Sequence, residues 1–154
     1  MSLFGISVMM WVVACNPAEK KPVASMRTGD ASPECFLYVQ GRDSIKLSMV
    51  QEKGAIQGRL AYLFYEKDKS MGTIEGHMRG GDTLFVNYSF TSEGMYSNRE
   101  LAFLKKEDCL LMGTGEILNH GNSDVFKNPA EIEFSESVVL KKISCEEMGE
   151  AVVL

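Results

Sequence analysis

Between Gly54 and Phe103 the chain alternates apolar and polar residues with a period of two, and no other feature constrains its fold as tightly. Ile56, Gly58, Leu60, Tyr62 and Phe64 fall on one face of an extended segment. So do Ile74, Gly76 and Met78, and so do Leu84, Val86, Tyr88 and Phe90. Successive side chains of a strand point to opposite sides, so this period marks strands with one buried face. The segments EKDKS, RGGD and SEG between them are charged or glycine-rich, as turns require.

Register tightens the reading, because a one-residue slip would send every apolar side chain to the wrong face. A three-residue loop Gly80-Gly81-Asp82 sets Met78 opposite Leu84 and Gly76 opposite Val86. A loop centred on Lys69 sets Phe64 opposite Ile74 and Tyr62 opposite Gly76, an aromatic across from a strand glycine as in curved sheets. A turn at Glu93-Gly94 sets Tyr88 opposite Arg99, Val86 opposite Leu101 and Leu84 opposite Phe103.

The same parity extends in both directions. Cys35–Gln40 reads as the first strand, and a Gly41-Arg42 turn pairs Tyr38 with Ile45 and Phe36 with Leu47. The second strand runs to Gln51, and a turn at Glu52-Lys53 pairs Met49 with Ile56. Tyr96–Lys105 and Cys109–Leu118 read as the sixth and seventh strands, although the adjacent Leu110 and Leu111 blur the parity of the seventh. A loop from Asn119 to Pro129 is expected next, then one long strand over Ala130–Cys145, or a hairpin turning at Glu136-Ser137, and a frayed tail. The prediction is an all-β, antiparallel up-and-down meander of about eight strands. A sheet of that size removes its edges by closing into a small barrel. The alternatives are a two-sheet sandwich and an open, curled sheet. Helical periodicity is absent after Pro33, which argues against an α/β fold.

The 154 residues suit one domain, and a net charge of −5 without a basic stripe excludes a nucleic-acid partner. Residues 1–14 are uncharged and mostly apolar. As a helix they would span roughly 21 Å, short of the roughly 30 Å of a hydrocarbon core, so they read as a signal peptide and not a membrane span. Val12-Val13-Ala14-Cys15 follows and resembles the lipobox of bacterial lipoproteins, although no Lys or Arg precedes the apolar run. The resemblance implies cleavage before Cys15, acylation of its sulfur (palmitate among the chains) and a lipid anchor in a bacterial cell envelope, at the outer membrane or its periplasmic face. Several acyl chains would hold the protein stably to the membrane. Residues 15–33, with Lys20 and Lys21, then form a flexible tether, residues 34–146 the barrel and residues 147–154 a tail.

The hairpin-linked strands are similar to the lipocalin and calycin group of small barrels. They also resemble a family of uncharacterised bacterial lipoproteins that carry GTIEG, a strand led by Gly-Asp and the run YSFTSEGMYSNRE. This likeness covers residues 35–145 and concerns structural motifs, so it implies no catalytic residues. The Gly-x-Trp signature of lipocalins is missing, since Trp11 is the only tryptophan.

Few residues carry candidate chemistry. With Cys15 lipidated, three cysteines remain in an oxidising compartment. Cys35 and Cys145 flank the domain and would lie side by side in an even-stranded barrel, where they are expected to form a disulfide. Cys109 is left over as a buried small hydrophobe. His77 alternates outward beside Glu75, more in keeping with solvated surface than with a metal ligand. His120, Ser123 and Asp124 hold the residue types of a hydrolytic triad but lie within one loop, whereas triads join rigidly held, separated segments. Gly113-Thr114-Gly115 precedes no helix and reads as a means of strand curvature, not a nucleotide loop. Arg99 points inward in the register above, so it needs a partner, Tyr88, Thr114, Glu116, Glu93 or a ligand carboxylate, unless it stands in water at the barrel mouth. Arg99, Tyr88, Tyr62, Phe90 and Thr114 are therefore the candidate ligand-facing residues. The function expected is non-enzymatic binding of a small apolar or amphipathic ligand, with no cofactor and no metal. A structural or inhibitory envelope protein acting through its outer face, and a hydrolase, are the alternatives.

Overall fold

The computed structural model describes residues 31–67, 69–149 and 152. The leader, Cys15 and nearly all of the tether lie outside the described residues. Seven strands follow one another as an antiparallel meander: β1 (Glu34–Gln40), β2 (Asp43–Glu52), β3 (Ala55–Leu63), β4 (Ser70–Arg79), β5 (Thr83–Ser92), β6 (Met95–Lys105) and β7 (Cys109–Thr114). A short hairpin, β8 (Ile117–Asn119) and β9 (Ser123–Phe126), leaves the sheet. The chain then returns as β10 (Glu133–Ile143), and the short helix α1 (Cys145–Met148) follows. β10 inserts between β7 and β1, so eight strands close into a small antiparallel barrel.

The period-two residues fill the barrel. Phe36, Leu47, Met49, Leu60, Ile74, Leu84, Phe103 and Leu140 form one interior cluster and are essentially inaccessible to solvent. Leu110 and Met112 belong to it as well, so the seventh strand turns Leu111 outward. The pairings at Gly41-Arg42, Gly80–Asp82 and Glu93-Gly94 are those expected from the sequence.

Two registers differ from the expectation. β3 and β4 pair Tyr62 with Ser70 and Gly58 with Ile74, because the connection begins at Phe64 and is centred nearer Glu66 than Lys69. β2 and β3 pair Met49 with Gly58 and Gln51 with Ile56, because the two-residue turn falls at Lys53-Gly54, one residue later than predicted. Both offsets change by an even number, so the buried face survives. Phe90, not Tyr62, is the aromatic that lies across from a strand glycine, Gly72.

The last third of the chain departs further. The seventh strand stops at Thr114, and the expected loop over Asn119–Pro129 contains β9. β10 is one strand, not a hairpin at Glu136, but its register with β7 shifts between Phe134 and Val139. The shift is odd, so it exchanges faces: Phe134 lies outside the barrel and Val138 packs against the interior.

Two apolar pads on the outer wall use these additions. Phe126, with Ile132 and Phe134, covers Phe85 and Ala102. A side chain at Gly113 would strike Ile132 and Phe134, so this glycine serves packing on the outer wall and not strand curvature alone. On the opposite flank Met148 and Val152 cover Cys35 and Ala61, so the expected frayed tail is in part a packed lid. Ser144 and Glu147 form a capping box at the start of α1, and the Lys46 Nζ donates to the Met148 carbonyl at its end. Cys35 and Cys145 are joined by a disulfide with Cα atoms 5.2 Å apart, which ties α1 to the first strand.

One end of the barrel is closed by charge. Glu34, at the start of β1, accepts hydrogen bonds from Lys105 and, at 2.7 Å, from Lys142. Burial pushes the Glu34 carboxyl up, but the hydrogen bonds and charges of the two lysines outweigh it and hold the group below the usual carboxylate range. This ion-paired end is the base. The other end, where β3 and β5 finish and β4 and β6 begin, is the mouth.

Candidate functional site

The mouth contains a cavity of about 320 Å³. Its apolar wall is Tyr62, Phe64, Tyr88, Phe90, Leu101 and Met112, and Ser70, Ser92 and Arg99 supply polar atoms. Apart from Phe64, which opens the β3–β4 connection, each wall residue sits where an inward-facing position of its strand nears the mouth, so the alternation that fills the core also lines this chamber.

Tyr88 forms its inner side. The residue is 1% exposed, and its hydroxyl donates to Ser70 Oγ at 3.1 Å. Its ring stacks on Phe90 with centroids 4.6 Å apart, and Tyr62 leans against both Tyr88 and Phe64 at 5.7 Å. Burial raises the Tyr88 phenol above the usual range, against the opposing effects of the Ser70 hydrogen bond and the Arg99 charge. Burial, and then the neighbouring Tyr88, raise the Tyr62 phenol too, against Arg99. Both hydroxyls are protonated donors at neutral pH. The Tyr62 hydroxyl makes no hydrogen bond among the described residues.

Arg99 faces the side predicted for it, shared with Tyr88 and Leu101, but it stands at the rim with a half-exposed side chain and is not buried. Its partner is none of the four residues expected. Nε and Nη2 donate to Asp124 Oδ2 at 3.2 and 3.1 Å, and Asn119 Nδ2 donates to Asp124 Oδ1 at 2.7 Å. The cause is β9, which pairs parallel to β6 and sets Asp124 directly beside Arg99. Glu116, a rejected partner, pairs with Lys127 at 2.8 Å.

Arg99 also borders a second, polar recess of about 150 Å³, lined by Ser97, Asn98, Asn119, Asn122 and Asp124 with Phe90 shared between the two spaces. Asn98 Oδ1 accepts from Ser89 at 2.7 Å, and Asn119 gives its amide hydrogen to Asp124. The Asn98 amide nitrogen and the Asn119 carbonyl oxygen have no partner among the described residues.

Of the five ligand-facing candidates, Arg99, Tyr88, Tyr62 and Phe90 meet in the chamber. Thr114 does not; it lies at the end of β7, exposed, with its hydroxyl directed to the Glu133 carbonyl at 3.4 Å. Sequence reasoning missed the asparagines of the recess, because they lie on β6 and on a hairpin that it read as loop. The other candidates are placed as follows. Both carboxylate oxygens of Asp124 are taken by Arg99 and Asn119, so the carboxylate is engaged away from His120. His77 accepts from Arg79 Nε at 3.1 Å on the exposed outer wall. Cys109 is a free thiol, half-buried and not fully so. Among the described residues no three His, Cys, Asp or Glu side chains gather as a metal site, and no helix is long and apolar enough to cross a membrane.

A groove of about 400 Å³ on the outer wall between β1 and β10 is lined by Leu37, Val39, Val139 and Ile143, with Glu136 and Lys141. Comparison with known protein families, curated proteins and solved structures finds no match for this chain.

Proposed function

We propose that this protein is a lipid-anchored binding domain of a bacterial cell envelope that holds a small apolar or amphipathic molecule in the mouth of its barrel. The observation that carries this reading is the aromatic chamber itself. Its volume of about 320 Å³ and its apolar wall with a few convergent polar groups are those of small-molecule sites. Anchoring rests on Val12-Val13-Ala14-Cys15 after an apolar run. β1 starts at the base, so a tether from Cys15 would join the barrel at the end opposite the mouth. The chamber would then open away from the anchoring membrane.

The test uses N-phenyl-1-naphthylamine, an uncharged probe that fluoresces in apolar surroundings. Enhancement by the wild type and its loss in Leu101→Trp, which fills the chamber, support the reading. Absence of enhancement, or an unchanged response in Leu101→Trp with an unchanged melting temperature, refutes it. For the anchor, Cys15→Ser should move the protein from the membrane pellet to the supernatant at high salt. A variant that still pellets removes the lipoprotein reading and leaves the chamber untouched.

A further inference from the structure

We infer that the ligand carries an uncharged, hydroxyl- or amide-bearing head in the recess beside Ser97 and Asn119 and an apolar tail in the aromatic chamber, and not a carboxylate bound to Arg99. The inference rests on the binding reading above and deepens it.

Arg99 is the cation that borders the chamber, and it is already neutralised. Two of its nitrogens bond one Asp124 oxygen, and Asn119 holds the other oxygen in place. A carboxylate approaching Arg99 would meet Asp124 at the same distance, so attraction and repulsion nearly cancel at a half-exposed site. Displacing Asp124 would in turn break its bonds to Arg99 and Asn119.

Neutral groups find a better match. The recess adjoins the chamber at Phe90 and Arg99, so one molecule can occupy both. Its wall offers the Asn119 carbonyl acceptor and the Ser97 hydroxyl, whereas the Asn98 side chain turns to Ser89 on the other face of β6. Such groups bond a hydroxyl or an amide in both directions without a charge to compensate. A volume of about 150 Å³ suits a head of a single small ring. Tyr62 adds an unpartnered hydroxyl donor on the chamber side.

The test is calorimetric titration of the full chain with two single-tailed amphiphiles below micellisation, octyl glucoside and decanoate. The wild type is expected to bind octyl glucoside at least about tenfold more tightly, a difference of about 1.4 kcal/mol. Asp124→Asn removes the neutralising charge, keeps the side-chain shape and frees Arg99. It should strengthen decanoate binding about tenfold relative to octyl glucoside binding. Arg99→Gln checks the same logic without touching Asp124, and should leave octyl glucoside the tighter binder of the two amphiphiles. Tighter decanoate binding by the wild type, abolished by Arg99→Gln, overturns the head assignment and leaves the binding reading standing. Binding of neither amphiphile overturns both.

Discussion

Cutting the link between Cys35 and Cys145 is the most informative perturbation of this barrel. The two cysteines are 110 residues apart, so the link closes almost the whole domain into one loop in the unfolded chain. The chain-entropy relation gives about 4.8 kcal/mol for a loop of that length at 25 °C. The position amplifies the effect. β1 and β10 pair only at Cys35↔Ile143, Phe36↔Lys142 and Leu37↔Lys141, whereas β5 and β6 pair along their whole length from Thr83 to Ser92. The β1–β10 seam is therefore short, as is the three-pair β6–β7 seam, and the disulfide fastens its end. Urea unfolding of the double variant Cys35→Ala/Cys145→Ala, followed by far-ultraviolet circular dichroism, should show a loss of about 4–5 kcal/mol. The melting temperature should fall by about 15 °C for a domain of this size, and the urea dependence should steepen as the unfolded chain expands. Wild type unfolded in the presence of a reductant should match the variant without any change in the buried side chains. A loss below about 1 kcal/mol in both samples would refute the argument, since the unfolded chain would not then be restrained by this loop.

Other perturbations address separate parts of the architecture. In Gly76→Ala a Cβ would strike the Phe85 carbonyl oxygen and lie 2.7 Å from Val86 Cα, so β4 and β5 must part; chemical unfolding should record a loss of about 2–3 kcal/mol. The Glu34 carboxyl is lowered in the folded state, so its contribution to stability is present above the ordinary carboxylate range and disappears as pH falls through its depressed value. Glu34→Gln should accordingly flatten the acid limb of the stability–pH curve, and an unchanged limb would show that the Lys105 and Lys142 contacts do not persist in solution. Met148→Ala removes a side chain 1% exposed from the lid over Cys35 and Ala61, and thermal melts should show a loss of about 2 kcal/mol or more.

The aromatic chamber was largely legible in the sequence, because inward parity alone places Tyr62, Tyr88, Phe90 and Arg99 on one face. Even the two misjudged registers moved strands by an even number and so spared that face. The identity of the Arg99 partner was not legible. Asp124 lies 25 residues away on a strand that pairs parallel to β6, and the Asn119–Pro129 stretch that holds it shows no periodicity to announce it. The same holds for the polar recess, whose asparagines come from two elements that only this pairing brings together.

Local chemistry therefore determined what a residue can be read to do within its own hairpin: which face it takes, where the chain turns, and that seven strands run consecutively. The tertiary structure decided what no hairpin contains. It brought β10 between β7 and β1, folded α1 over Cys35, and used an odd register shift to turn Phe134 outward and Val138 inward. The physical reason is that side-chain parity is set by backbone geometry one residue at a time, whereas long-range pairing depends on which exposed apolar surfaces remain once the local strands have formed.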